Sequence, residues 1–272
     1  MQSFLIVLAS VIMGVALRSC RALFLRKLGA LTFLVASFLT FYYFFASLYA
    51  GFFGVILWFL LPWIDLLIRI RKLRFPIDNR LKNIPPPSED HFPNARRLFS
   101  EIEDSHFEFV SSSCWQWGGM NQHFQFFWHP EAKTIAALCL CEQDHVAFAF
   151  VTLSSKSKNH LKVHTTNYPF SPTLRDSPRS HWLFLPCEKN RFELILREHR
   201  RNLSNHRLNL ENLVTPQPDT ILEEFENELI AQVEYNVDRK LIIRTEEESY
   251  RYSTKGLFFL WFQSMKDMIR LC

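Results

Sequence analysis

Residues 28–68 read LGALTFLVASFLTFYYFFASLYAGFFGVILWFLLPWIDLLI, and Asp65 is their one charge. A single helix of that length would measure roughly 60 Å, twice the hydrocarbon core of about 30 Å. The run must therefore fold back on itself. Ala50-Gly51-Phe52-Phe53-Gly54 is the natural place, because two glycines permit a tight turn. This reading puts helices near 28–49 and 53–68. Residues 2–17 form a further apolar run, broken only by Gln2, Ser3 and Ser10.

Charges set the expected orientation. Arg18, Arg21, Arg26 and Lys27 follow the first run, and Arg69, Arg71, Lys72 and Arg74 follow the last. Basic clusters favour the cytoplasmic side of a membrane. Three spans satisfy both clusters, with 18–27 inside, 50–53 outside and everything from 69 onward inside. The alternative is two spans, with 62–74 as an amphipathic helix on the surface: Trp63, Leu66, Leu67, Ile70 and Leu73 share one face, and Asp65, Arg69 and Lys72 the other. Tyr42, Tyr43, Tyr49, Trp58 and Trp63 are of the type enriched at membrane interfaces. The start Met1-Gln2-Ser3 lacks the basic side chain of a cleaved signal peptide. Asp65 reads as a boundary carboxylate paired with Arg69 one turn on, rather than as an ion site.

The net charge of +4 hides an asymmetry. Residues 1–77 hold eight Lys/Arg and one Asp, whereas the remainder holds 23 basic and 26 acidic residues. Glycine is scarce, at 7 residues against 27 Phe, and four of the seven lie in the first 54 positions. A glycine-rich phosphate cradle needs several glycines close together, so P-loop, dinucleotide-fingerprint and kinase readings are poor.

Beyond the apolar region, 76–92 reads as a linker, stiffened by Pro85-Pro86-Pro87. The division is then a transmembrane domain over 1–75, the linker, and a cytoplasmic α+β domain over 93–272. A short helix over 95–103 precedes strand-like runs at 107–117, 123–129, 134–142, 146–154 and 161–166. The connections between them are too short for anything but antiparallel pairing. An antiparallel meander of about five strands follows, to which Trp182 to Leu185 adds another. Helices are expected over 190–203 and 219–235, the second capped by Asp219 or Thr220. A hairpin spans Glu246-Glu247-Glu248, and a very apolar helix runs over 256–271. The class is α+β, an antiparallel sheet packed with helices and anchored to a membrane. The last helix is expected to dock into the domain core, with contact to the bilayer or a membrane partner as the alternative.

The polar residues offer few constellations. His160 and His164 lie four apart on one strand face, with Thr166 and Asn167 close behind; a ligand site there is the candidate. Cys139 and Cys141 share a strand face and are read as small core thiols. Zinc would require two more ligands, such as His145 or Cys114. Cys187 precedes a helix whose dipole lowers a thiol pKa, but no motif supplies a histidine. The expected catalytic set, metal set and cofactor are all none. Arg197-Glu198-His199-Arg200-Arg201 resembles a basic patch, diluted by Glu193, Glu198 and Glu211. The hairpin at 241–253 and the final helix are similar in outline to the wing of winged-helix domains. The helix that would then read DNA carries Glu223, Glu224, Glu226, Glu228 and Glu234 and no base, so nucleic acid is not expected as a partner. The expected partners are the lipid bilayer and a membrane or cytoplasmic protein. The function expected is a membrane protein whose cytoplasmic domain binds a partner or ligand without catalysis. The alternative is a membrane-tethered enzyme using His160, His164, Thr166 and Asn167.

Overall fold

The computed structural model describes residues 2–20, 22–77, 80–82, 84–117, 120–143, 146–186, 189–245 and 249–271, without the side chains of 23, 65, 76, 89, 117, 143 and 268–271. The fold is α+β, with seven helices and a mixed six-stranded sheet among the described residues. It divides into two compact units. One comprises 1–73, 171–173 and 252–272; the other comprises 74–170 and 174–251.

The first unit opens with α1 (Gln2–Arg18), α2 (Leu23–Phe45) and α3 (Leu48–Ile68). Phe24–Phe45 and Leu48–Lys72 are long and apolar enough to cross a membrane, and α1 is shorter. The chain reverses at Ala46, which adopts a left-handed conformation (φ 49°, ψ 35°). The turn is thus earlier than the two glycines that were expected to make it. Gly51 and Gly54 lie inside α3, where absence of a side chain lets α2 approach. A Cβ on Gly51 would stand 2.6 Å from Phe38 Cε2, and one on Gly54 2.6 Å from Phe41 Cδ2. Close approach of this kind lets small residues bring two apolar helices into van der Waals contact. Ser37 Oγ adds a hydrogen bond to the Gly54 carbonyl at 3.1 Å.

The second unit begins with β1 (Phe75–Pro76) and α4 (Ala95–Asp104). The strands β2 (Glu108–Trp117), β3 (Met120–His129), β4 (Thr134–Gln143), β5 (Val146–Lys156) and β6 (Lys162–Thr166) follow as the expected antiparallel meander. The sixth strand, β7 (Ser180–Phe184), departs from the expectation of an antiparallel sheet: it pairs parallel to β6 and forms the sheet's edge. Residues 167–179 make this possible, being long enough for the chain to return to the starting end of β6. Next come α5 (Phe192–Asn205) and α6 (Ile221–Asp238). The hairpin β8 (Ile242–Arg244) and β9 (Ser249–Tyr252) then joins β1 in a small sheet of order β1-β9-β8.

Strand alternation decides what each face of the large sheet covers. Phe127, Ala136, Leu138, Leu140, Val151 and Leu153 point to one side and are buried with Leu98 and Ile102 of α4 and Phe192 and Ile195 of α5. On the other side Phe124 and Phe126 close on Phe225 of α6, with ring centroids 4.9 and 5.0 Å apart. Neither α5 nor α6 has a side-chain cap at its first turn, contrary to the expectation for Asp219 or Thr220. For α5 the carboxylate comes from another helix: Phe192 N–H donates to Glu101 Oε2 of α4 at 2.6 Å.

The chain ends in α7 (Thr254–Leu271), which belongs to the first unit. The sequence reading set this helix in the core of the α+β domain. It packs instead on α3, where Trp63 meets Phe258 edge to face at 4.8 Å and Trp261 at 5.9 Å.

Candidate functional site

Along β6 the odd and even residues part company. Val163 and Thr165 face α5, and His164 and Thr166 face α6. His164 is buried. Its Nδ1 lies 2.8 Å from Ser154 Oγ on β5. Its Nε2 lies 2.9 Å from Glu228 Oε1 on α6. Its ring stacks on Trp182 of β7 at 4.2 Å and 13°. Parallel pairing of β6 with β7 sets His164 directly beside Trp182, so this stack depends on the strand direction that the sequence did not reveal.

Glu228 is the hub of the arrangement. Its second oxygen pairs with Lys162 Nζ at 2.8 Å, and one turn earlier Glu224 pairs with Lys156 at 3.1 Å. Burial pushes the Glu228 carboxyl pKa upward, but His164 and Lys162 outweigh it and hold the group at about 2. Asp176 moves the other way, raised by burial against the opposing influence of His164. Ser154, His164 and Glu228 therefore form a line of hydroxyl, imidazole and carboxylate. The order is that of a serine hydrolase relay with the two ring nitrogens exchanged. Beside it, Ser177, Ser180, Trp182, Glu228, Ala231 and Gln232 line a cleft of about 40 Å³. Ligand pockets for whole small molecules measure about 300–1,000 Å³; this cleft suits one side chain or a few waters.

The other candidate residues have different settings. His160 stands in the turn before β6 with φ 61°, exposed, its N–H bonded to the Ser157 carbonyl. Thr166 Oγ1 accepts from Thr152 Oγ1 at 3.0 Å and donates to the Val151 carbonyl at 3.1 Å. Asn167 Oδ1 accepts the Val151 N–H at 2.7 Å. His164 and Thr166 thus share a face, Asn167 ties the following loop to β5, and His160 lies apart from them.

A second polar network lies on the α5 face and was not anticipated. His199 is fully buried, with Nε2 3.1 Å from Ser155 Oγ and Nδ1 3.0 Å from Thr165 Oγ1. Ser155 also contacts Thr134 Oγ1 at 3.0 Å, and Asn202 Nδ2 donates to Thr165 Oγ1 at 3.3 Å. Burial, with smaller contributions from His164 and Arg200, depresses the His199 pKa to about 3, so the ring is neutral. In sequence, His199 sits inside what resembles a basic patch. Yet Phe192, Ile195, His199 and Asn202 fall at helical spacing on one stripe, and that period was the available signal.

Cys139 and Cys141 are buried on the α6 face of β4, where burial raises both thiols, Cys141 to about 11. Cys114 and His123 face each other across β2 and β3 on the opposite side of the sheet, with Sγ 3.9 Å from Nε2. Burial raises the thiol of Cys114 and lowers the imidazole of His123. No group of three or more His, Cys, Asp or Glu that could hold a metal ion occurs among the described residues. Cys187, His145 and the side chain of Asp65 fall outside them. No protein-family model matches the chain, and neither a curated protein nor a solved structure matches it.

Proposed function

We propose that this chain is a multi-pass membrane protein in which α1, α2 and α3 cross the bilayer, and that its α+β unit binds a protein partner or ligand in the cytoplasm without catalysis. The observation that carries the membrane part is where large apolar side chains stand exposed. They crowd α1, α2 and α3, reaching 80% exposure at Phe44 and 88% at Tyr49. Water makes such a surface costly at about 25 cal/mol per Å², and lipid removes the cost. The positions of Arg18, Arg26, Lys27, Arg69, Arg71, Lys72 and Arg74 support the orientation. The cleft between α6 and the edge strand β7 supports the binding part. It presents Trp182, two serines and Gln232 at a scale suited to a partner's side chain. The experiment is a pair of reporters fused after Cys272. A fluorescent protein that matures only in the cytoplasm should be bright, and alkaline phosphatase should be inactive. Active phosphatase overturns the orientation, and release of the chain by alkaline carbonate overturns membrane insertion.

A second reading, a membrane-tethered hydrolase, rests on the Ser154–His164–Glu228 line. A fluorophosphonate probe that labels the wild-type chain and not Ser154→Ala would favour it over the binding reading.

A further inference from the structure

Helix α7 has one closed side and one open side. Leu257, Leu260 and Gln263 are buried. Lys255, Phe258, Phe262 and Lys266, spaced three or four apart, are exposed, both phenylalanines to 55%. The closed side is held by two devices. Trp261 Nε1 donates to the Phe59 carbonyl at 2.8 Å. Phe59 lies in the turn of α3 that precedes Pro62. Asp267 accepts from Ser171, at 2.9 and 3.0 Å from the backbone N–H and at 2.6 Å from Oγ.

We infer that the open side of α7 lies in the headgroup–acyl boundary of the bilayer, with Phe258 and Phe262 among the acyl chains. The inference rests on α1–α3 spanning that bilayer. It takes its depth from α3. Trp63, which α7 grips, precedes Arg69 by six residues, about 9 Å along the helix axis. An interfacial helix buries its apolar face about 5–10 Å below the headgroups. Trp63 and Trp261 are the residue type that settles at this level, apolar in body with one N–H donor. The flanks fit as well. Lys255 and Lys266 bracket the phenylalanines, and Lys266 Nζ sits 4.7 Å over the Phe262 ring, a stem lying along apolar surface with its charge at the margin.

The test is photo-crosslinking of the full chain in its native membrane, with benzoylphenylalanine replacing Phe258 or Phe262. Val35, exposed at the middle of α2, is the reference for spanning, and buried Gln263 is the control. Lipid adducts are expected at 258, 262 and 35, and not at 263. Lipid adducts at 35 with none at 258 and 262 overturn the placement of α7 alone. Absence of lipid adducts at 35 overturns the membrane reading itself. Adducts at 258 and 262 to a second copy or to another protein overturn the inference in favour of a protein interface. Size-exclusion profiles matching wild type confirm that each variant is folded before its adducts are read.

Discussion

At the scale of residues, two buried groups tie the stability of the α+β unit to pH. His199 has a folded pKa depressed to about 3 against an unfolded value near 6.5. Its contribution is complete above about pH 6.5 and is lost as pH falls toward 3, because the unfolded chain takes up the proton first. Glu228, held at about 2, contributes fully above about pH 4.5 and loses that contribution as pH falls toward 2. Denaturant unfolding of the full chain in micelles should weaken on acidification from pH 6.5, by up to about 1.4 kcal/mol per pH unit for each titrating group. Glu228→Gln should flatten the lower part of that curve and leave the decline between pH 6.5 and 4.5 in place. His199→Ala, which removes the partner of Ser155 and Thr165 and opens a cavity, should cost about 3–5 kcal/mol at pH 7. A loss under 1 kcal/mol in the same measurement would mean the network carries no weight. For Cys139 and Cys141, burial and raised thiol pKa values forecast reaction with Ellman's reagent at least tenfold slower in the folded chain than in the unfolded one.

At the scale of elements, hydropathy and alternation carried most of the reading. The five strands of the meander fall where period-two runs and turn residues put them, since each strand has a buried face that fixes its register. Two features depart from the reading, for different reasons. The sequence reading makes glycine a turn residue at 51 and 54, yet the helix interior uses it for close packing, and the turn falls at Ala46. Sequence alone cannot separate these uses, because both depend on the absence of a Cβ. The direction of β7 was equally hidden, because nothing in Ser180-His181-Trp182-Leu183-Phe184 records its neighbour's polarity. Of the candidate site, His164 was legible through its spacing. Glu228 was not, being 64 residues away on a helix whose glutamates were weighed only against nucleic-acid binding. The packing role of glycine makes a prediction. Gly51→Val should force apart α2 and α3, against the 2.6 Å approach to Phe38. The thermal midpoint in detergent should fall by an amount equivalent to about 1–3 kcal/mol. Phe38→Ala in the same chain should recover part of it. An unchanged midpoint for Gly51→Val alone would show that the two helices do not depend on this contact.

At the scale of the molecule, the division into units matters more than the order of elements. Residues 74–251, apart from Ser171–Thr173, form a unit with its own two-sided core, and α7 contributes to the other unit. The broad hydrophobicity of α7 was legible, but a helix destined for a domain core and one destined for apolar helices have the same composition. A fragment of 74–251 should therefore fold without α7, giving dispersed amide signals and a cooperative melt. An aggregated or molten fragment would mean that α7 supports the sheet after all. Deleting 254–271 from the full chain should leave the pH dependence of the α+β unit as above while lowering the detergent stability of α1–α3.

The placement of α7 also has a consequence in time. The unit that opens the chain receives its last helix only after about 180 further residues have been made, roughly ten to forty seconds of synthesis at ordinary rates of about 5–20 residues per second. During that interval the Phe59 carbonyl lacks the Trp261 N–H that it accepts in the full chain. The α+β unit, whose segments are contiguous but for three residues, is free to fold first. Nascent chains stalled before residue 254 should thus carry a finished sheet beside an unfinished helical unit. A truncation ahead of residue 254 would strike the unit whose other helices were made earliest.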